Sequence, residues 1–322
     1  MPLSPAQRHY ARVMAEQAQA ASPFGKQVQG DAYQLMLAKL AFDQRRLKEI
    51  QGILLKASVK AEILPDYFDW ITSAVQKGNG AEDKVVTTTM VWAVDAGAYA
   101  LALEMATYVL QYKLRLPDRY ERSTATTVIE EFADAYLNGR WTPLKVGKSE
   151  TGQPALVPDP DCPAVQILQG VQAITAAEDA HDQPRAKLHK AIAYALLGKV
   201  QTAESPDLEV LPATVLNQAL ALLQSALSYD AQSGVKKDIE RIERKLAAAS
   251  AGKVTLPDAD APPAVTAAEA AAPVADTAAA AAEPTPKPDV VNNKTAAKKT
   301  ATATPKAATA RAKPGRKPAA AK

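Results

Sequence analysis

Apolar residues between positions 31 and 64 recur at the spacing of an α-helix, in a stretch that contains no proline. Asp31 is a favourable N-cap, and Pro65 ends the pattern. The spacing predicts one helix of roughly 50 Å, at ~1.5 Å per residue. Two apolar rows at intervals of seven form a heptad-like seam, which packs either within the chain or against a second copy. The residues predicted for oligomerisation are Tyr33, Leu40, Leu47, Ile50 and Leu54.

Shorter helical patterns surround this long one. Ser4 is a good N-cap and Pro5 suits the first helical position, which together predict the start of a helix. Beyond the long helix, helical spacing continues in several segments as far as Gly139, and none of them alternates as a strand would. The predicted fold class is therefore all-α, a helical bundle built on a long central helix, with residues 1–64 and 65–140 as its first two parts.

The chain changes character after residue 140. Residues 141–163 are rich in proline and glycine, which predicts a linker loop. Residues 164–248 return to helical patterns, and these resemble the paired helices of a tetratricopeptide-like repeat only weakly, so a short C-terminal helical bundle is favoured. Residues 249–322 contain almost nothing but Ala, Pro, Thr, Lys and Asp. Such a segment cannot bury a core, and we predict a disordered basic tail.

Charge is distributed unevenly, although the formal net charge is only +3. Residues 1–60 carry 9 Lys and Arg against 4 Asp and Glu, and residues 251–322 carry 11 against 6. The middle of the chain is acidic. Two basic ends around an acidic middle are typical of a protein whose ends bind a polyanion while its middle binds a different partner.

The cysteine content and the hydropathy of the chain indicate in which cellular compartment the protein is expected. With Cys162 as its single cysteine, the chain can form neither an internal disulfide nor a cysteine metal cluster. No apolar run approaches the ~20 residues that span a bilayer, and no apolar leader follows Met1. We therefore expect a soluble protein of the reducing cytoplasm with no membrane partner.

The strongest signal for nucleic-acid binding lies near the C-terminus. Residues 290–322 contain nine Lys and Arg and no acid, interspersed with Ala, Thr and Pro as in a linker-histone tail. Such a segment binds phosphates with strong salt dependence, and a merely solubilising tail is the alternative. Residues 314–318 are similar to a minor-groove hook of the Arg-Gly-Arg-Pro type that lacks its first arginine. The predicted contacts are Lys298, Lys299, Lys306, Arg311, Lys313, Arg316 and Lys317.

Sequence-specific reading of DNA needs an ordered element in a groove. Arg8 and Arg12 lie one turn apart on the N-terminal helix, and the long helix supplies Arg45, Arg46 and Lys48. These five residues are the predicted DNA contacts of the folded region, with an ordinary solvated surface as the alternative. No helix-turn-helix signature identifies a recognition helix.

Clustered carboxylates raise the question of metal-dependent DNA cleavage, since nucleases hold divalent metals with such groups. Each cluster lies near a predicted helix start or on a polar helix face, where the helix dipole and water also favour acids. No P-loop signature is present, and the three histidines lack ligand spacing. We assign no catalytic residue, metal or cofactor, and Mg²⁺ is expected only if the chain is a nuclease. The weak catalytic candidates are Asp66, Asp69, Glu130, Glu131 and Asp134, with Glu82 and Asp83 as a further pair.

Several segments together resemble a known family. They are SPAQRH at 4–9, DQRRLKEI at 43–50, LPDYFDW at 64–70, VWAVDAGAYALALEMA at 91–106 and GVKKDIERIER at 234–244. In this order they are similar to the small terminase subunit of temperate, contractile-tailed phages with cohesive-ended genomes, a family often labelled the terminase endonuclease subunit. No single motif is diagnostic, and the match is specific as a whole.

The resemblance implies a role in genome packaging in the host-cell cytoplasm. A small terminase subunit recognises the packaging site on double-stranded viral DNA, oligomerises, and presents the DNA to the large terminase subunit, which holds the ATPase motor and, in most systems, the nuclease. Whether this chain is itself an enzyme stays uncertain, and cleavage is more readily assigned to the complex. Two other hypotheses are a metal-dependent endonuclease that cuts cohesive ends and a helical-repeat adaptor whose tail is incidental.

Overall fold

The computed structural model describes residues 4–117, 122–199 and 207–252, all within one compact unit. The α-helices of these residues are α1 (Pro5–Ala21), α2 (Asp31–Glu49), α3 (Ile53–Ile63), α4 (Phe68–Lys77), α5 (Lys84–Asp95), α6 (Tyr99–Gln111), α7 (Thr124–Leu137), α8 (Ala164–Thr175), α9 (Asp182–Leu196), α10 (Ala213–Tyr229) and α11 (Lys236–Ser250). Short 3₁₀ turns occupy Leu64–Tyr67 and Leu208–Val210, and two strands are β1 (Leu144–Lys148) and β2 (Pro154–Pro158). The predicted all-α class is thereby confirmed, with a small hairpin added. None of the described helices has the length and apolar character needed to cross a membrane.

The N-terminal helix α1 begins as its sequence predicts. The Ser4 hydroxyl accepts a hydrogen bond from the Gln7 backbone N–H at 3.2 Å, and the Gln7 side chain accepts one from the Ser4 N–H at 2.8 Å. This reciprocal pair is a capping box, which satisfies two backbone donors that the first turn otherwise leaves without partners. The helix packs along α4.

The helix predicted over residues 31–64 is in fact two helices. Ile50 and Gly52 have extended backbones, with ψ angles of 131° and 130°, and these residues separate α2 from α3. Glycine inside a helix costs about 1 kcal/mol relative to alanine, so this is the weakest point of the stretch. The break lets α3 turn so that Val59 and Ile63 are buried on the side that packs against α5. At the other end Gly30 is the N-cap, and Asp31 lies in the first turn rather than in the capping position.

An acidic residue interrupts the apolar seam of α2, and the structure shows how the core accommodates it. Asp43 is 3% exposed. Its carboxylate accepts hydrogen bonds from the Tyr67 hydroxyl at 2.6 Å and from the Lys39 ammonium at 2.9 Å. A buried charge is tolerated when it is paired and hydrogen-bonded in this way. Asp43 therefore joins α2 to the turn that precedes α4.

Helix α5 lies at the centre of the core. Its ten residues from Val85 to Val94 are all buried, and it packs against α2, α3, α4, α6 and α7. Asp83 is its N-cap and is 2% exposed. One carboxylate oxygen accepts the backbone N–H groups of the first turn, at 2.8 and 3.1 Å. The other accepts the side-chain N–H groups of Gln19 at 2.7 Å and Trp70 at 2.8 Å, so Asp83 joins α1, α4 and α5.

Most of the region predicted as a linker loop forms an ordered hairpin instead. Strand β1 pairs antiparallel with β2, from Leu144 opposite Pro158 to Lys148 opposite Pro154. The two prolines lie at the ends of the ladder, where a missing N–H disrupts the pairing least. Two contacts with the turn between α5 and α6 hold the hairpin: the Leu144 N–H donates to the Gly97 carbonyl at 2.8 Å, and the Trp141 and Tyr99 rings stack at 3.8 Å between centroids.

We expect Gly97→Ala to lower the free energy of unfolding by about 2 kcal/mol, because it combines backbone strain with a steric clash. Gly97 has a φ of +85°, and an added Cβ would lie 2.3 Å from the Thr142 carbonyl oxygen. Gly25→Ala is the matched control, since Gly25 has a φ of +68° and no atom near the added Cβ. It should cost about 1 kcal/mol, from strain alone. Urea denaturation measures both, and equal losses would show that the hairpin contact contributes nothing.

Helices α8 to α11 form the C-terminal bundle, in which α9 packs on α7 and α10, and α10 packs on α11. The Asp238 carboxylate ties α11 to α9, because it accepts a hydrogen bond from the Tyr194 hydroxyl at 2.7 Å and lies 3.1 Å from the Lys199 ammonium. The last helix ends at Ser250, just inside the range predicted as tail. The rest of the predicted disordered tail lies outside the described residues.

Candidate nucleic-acid interface

Four cationic side chains line one cleft between α1, α4 and β1. Arg8 and Arg12 come from α1, Lys77 from the end of α4, and Lys148 from the end of β1. The cleft has a volume of about 420 Å³. The two arginines are one helical turn apart and therefore project from the same side of α1. The fold thus adds two lysines to a pair of arginines already predicted as DNA contacts.

Two of these four cations are held by acids in the same cleft. Arg12 Nε lies 3.1 Å from the Asp69 carboxylate, and Lys77 Nζ lies 2.6 Å from the Glu16 carboxylate. Ion pairs this exposed stabilise a fold by only about 0–1 kcal/mol. Across the described residues, the side chains of Arg8 and Lys148 have neither a hydrogen-bond nor an ion-pair partner. Each of these two cations is therefore available to an anion without the loss of an existing pair.

The other predicted contacts of the folded region form a separate group at the end of α2. Arg46 lies 3.2 Å from the Glu62 carboxylate of α3, and Arg45 donates to the Ala41 carbonyl of its own helix at 3.3 Å. Lys48 is exposed. Cations in the last turn of a helix also complement its dipole. None of the three lines the cleft that holds Arg8.

The predicted DNA contacts of the tail are not part of the described structure. Lys298, Lys299, Lys306, Arg311, Lys313, Arg316 and Lys317 all lie beyond residue 252. Their role stays a prediction from the sequence.

The first acidic pair considered for catalysis is engaged with cations. Asp66 lies 3.0 Å from the Lys39 ammonium, and Asp69 is the partner of Arg12. Asp83, considered with Glu82, is buried and serves as the N-cap of α5. Each of these groups has a structural or electrostatic partner in place.

The second acidic group lies on α7. Lys187 Nζ sits between Glu130 and Asp134, at 3.2 and 3.0 Å, and Glu130 also pairs with Arg122. Within the described residues, no group of three or more His, Cys, Asp or Glu side chains is arranged to hold a metal ion. The carboxylates of this cluster act here as partners for lysine and arginine.

Glu131, the remaining acid on α7, is half-buried against Val91, Val94 and Phe132. The pKa of Glu131 is raised to about 7, mainly by burial and secondly by the nearby Asp95 carboxylate, while Lys60 acts to lower it. Lys60 itself forms an ion pair with Asp95. The Glu131 carboxyl therefore titrates near neutral pH.

We expect Glu131→Gln to raise the melting temperature at pH 8 by a few degrees and to leave it nearly unchanged at pH 5. The folded-state pKa lies above the ordinary value of 4.5. Stability from the protonated form is therefore complete below pH 4.5 and is lost as the pH rises through 7, where ionised Glu131 costs on the order of 1 kcal/mol. Glu104→Gln, on the exposed face of α6, is the control. An equal gain for Glu131→Gln at both pH values would contradict this account.

The residues predicted for oligomerisation do not form one surface. Tyr33, Leu40 and Leu47 are 0%, 2% and 7% exposed and lie in the core of their own chain. Ile50 is partly buried against that core, and Leu54 is 75% exposed at the start of α3. Because α2 and α3 are separate helices, the seam is not continuous. This corrects the expectation that these five side chains together face a second copy.

Lys77 and Lys148 are the cleft residues that sequence reasoning missed. Lys148 lies 140 residues along the chain from Arg8, in a segment predicted as a loop. The only local signal was a lysine at the end of a short apolar alternation, and that signal is weak without knowledge of the hairpin. Lys77 ends a predicted helix, where a cation is common.

Comparison with known families identifies the class of protein. Residues 37–183, which run from α2 into the first turn of α9, match the family described as phage small terminase subunit. The chain belongs to this family, and its function is that of a terminase small subunit in phage DNA packaging. The resemblance seen in the sequence is thereby confirmed.

A curated relative extends the match beyond that region. The chain is 36% identical over 245 residues to the protein of Escherichia phage P2 named "Terminase, endonuclease subunit". The alignment covers 76% of this chain and 85% of the relative. No solved structure matches the chain.

Proposed function

We propose that this terminase small subunit itself binds double-stranded viral DNA at the packaging site and assembles with further copies. It then presents the DNA to the large ATPase and nuclease subunit in the host-cell cytoplasm. The cleft between α1, α4 and β1 carries the proposal. It holds four cations, and the side chains of Arg8 and Lys148 lack partners within the described structure. Surface cations that are not paired with an acid are groups with which proteins bind phosphate oxygens.

In this proposal the cleft and the tail have different roles in DNA binding. Arg8 and Lys148 come from two different elements, so a phosphate between them is fixed in position as well as neutralised. The basic tail adds a salt-dependent attraction with little sequence preference. The folded region therefore sets the register on DNA, while the tail raises overall affinity. No cofactor is needed for this activity.

A salt series tests the proposal with the full-length protein and a variant ending at residue 252. Each protein is titrated with packaging-site DNA and with scrambled DNA of equal length. We expect truncation to flatten the dependence of affinity on salt while preference for the packaging site survives. If the truncated protein binds no DNA at low salt, or if site preference disappears with the tail, the cleft is not the positioning site.

A second candidate function is cleavage of cohesive ends, and it is favoured because the phage P2 relative is named an endonuclease subunit. It requires Mg²⁺ held by carboxylates, and Glu130 and Asp134 are candidates because both lie on α7 and share Lys187 as a partner. The test is whether the purified protein cuts end-site DNA with Mg²⁺ in the absence of the large subunit. Cleavage that is lost in the Glu130→Gln/Asp134→Asn variant would establish the nuclease function. If the DNA stays uncut under the same conditions, cleavage belongs to another subunit of the complex.

A further inference from the structure

The side of α2 that faces away from the core carries large apolar residues in contact with water. Leu35 is 72% exposed and Phe42 is 61% exposed, and Ala38 lies between them and is also exposed. At about 100° per residue, these three side chains fall within roughly 60° of one another, opposite the buried row of Tyr33, Leu40 and Leu47. Exposed apolar residues that form a stripe indicate a contact surface.

Tyr10 of α1 extends this apolar surface. It is 66% exposed, and it lines a cleft of about 560 Å³ between α1 and α2 together with Met14 and Leu35. The exposed apolar surface thus spans two helices that pack on each other. Nothing else in the described residues covers it.

We propose that this outward face of α2 is a contact between two copies of the chain, packed antiparallel about Ala38. The inference rests on the proposed assembly of the subunit and names the surface that performs it. The face consists of Asp31, Leu35, Ala38, Phe42, Arg45 and Glu49.

The order of residues along α2 makes this face complementary to itself. In an antiparallel pair centred on Ala38, Leu35 of each copy lies beside Phe42 of the other. Asp31 and Arg45 are each seven residues from the centre, so the acid of one copy lies beside the arginine of the other. The same patch then serves both partners, as a twofold interface requires. The small side chain at the centre lets the helix axes approach to about 8 Å.

The helix dipoles and the extent of the surface set the strength of this contact. Antiparallel helices place the positive end of one dipole beside the negative end of the other. A helix face ~28 Å long and ~10 Å wide covers about 300 Å² per copy, which is less than the ~800 Å² of a standard interface. The contact is therefore weak, and association depends on protein concentration in the micromolar range.

Sedimentation velocity of the full-length protein from about 1 to 100 µM tests the surface. We expect the wild type to associate as concentration rises, and Leu35→Asp/Phe42→Asp to weaken association at least 100-fold. Val210→Asp is the matched control, because Val210 is 65% exposed and lies outside this face. It should associate as the wild type does. Circular dichroism checks that each variant is folded.

Charge reversal tests the antiparallel geometry directly. Asp31→Arg and Arg45→Asp should each weaken association about tenfold, because each places like charges opposite one another across the contact. The double reversal restores the opposite-charge pairs and should recover most of the loss. A double variant no better than the singles would overturn the antiparallel arrangement.

Disulfide formation detects the contact directly, without variants in which association is weakened. In a Cys162→Ser background, Ala38→Cys should form a covalent dimer under mild oxidation, because facing Cα atoms must lie within about 7 Å to be bridged. Val210→Cys in the same background should stay monomeric.

The outcomes separate this inference from the proposed function. If the wild type and the Leu35→Asp/Phe42→Asp variant associate equally well, this face of α2 is not the contact, although the proposed assembly is still supported. A wild type that is monomeric at every concentration would overturn both the surface and assembly. DNA binding through Arg8 and Lys148 is measured separately and does not depend on either result.

Discussion

Replacing Arg8 and Lys148 together by glutamate should weaken binding of double-stranded DNA by about 100-fold at 0.1 M salt. The double variant removes two cations and adds two anions in a cleft that already contains Glu16 and Asp69. It should also reduce the slope of log affinity against log salt by about 2, since each lost phosphate contact contributes close to one. Fluorescence anisotropy over a salt series measures both quantities.

The control for this experiment makes the same change in charge elsewhere. Lys236 and Lys237 are exposed on α11 and do not line the cleft. Their double glutamate variant should lose only the small, general attraction that four units of charge provide at long range. Equal losses for the two double variants would show that net charge, and not the cleft, governs binding.

The largest effect on stability is expected from Asp83→Ala, at about 4 kcal/mol, which corresponds to a fall of roughly 10 °C in melting temperature. The substitution removes the N-cap of α5 and leaves the buried side-chain donors of Gln19 and Trp70 without an acceptor. Loss of a cap costs up to about 2 kcal/mol, and each orphaned donor adds about 1–3 kcal/mol. Differential scanning calorimetry measures the change.

Asp66→Ala provides the comparison for Asp83→Ala. Asp66 has a side chain that is 62% exposed, and its partner is one lysine at 3.0 Å. Its loss should cost less than about 1 kcal/mol. If the two variants melted at similar temperatures, Asp83 would not join α1, α4 and α5 as the structure indicates.

Local patterns predicted most of the helical fold, because each helix is specified by residues close to it in the chain. Ser4 as the N-cap and Pro5 at the first helical position are local signals, and both occupy these positions in the structure. The periodic burial of Tyr33, Leu40 and Leu47 was also predicted, as a row. Whether that row faced its own chain or a second copy could not be decided, since both choices give the same periodicity.

Features that depend on distant residues could not be predicted in this way. The break after α2 depends on where α3 must lie to reach α5, and Gly52 was only a weak local sign of it. The hairpin depends on Gly97 and Tyr99, which lie 40 residues or more before the residues that they hold. The cation cleft follows from the hairpin, because Lys148 reaches the cleft only through that strand. Site residues that meet across the fold leave no short pattern in the sequence.

The burial of α5 has a consequence for the way the protein opens. Its packing partners α2, α3, α4, α6 and α7 all lie within residues 31–137, so this cluster is complete without α1 or the hairpin. Backbone amides of α5 should consequently exchange with solvent only on global unfolding. Helix α1 and the hairpin pack on neighbours of α5, so the two elements that line the cation cleft can open and reclose locally while the centre stays folded.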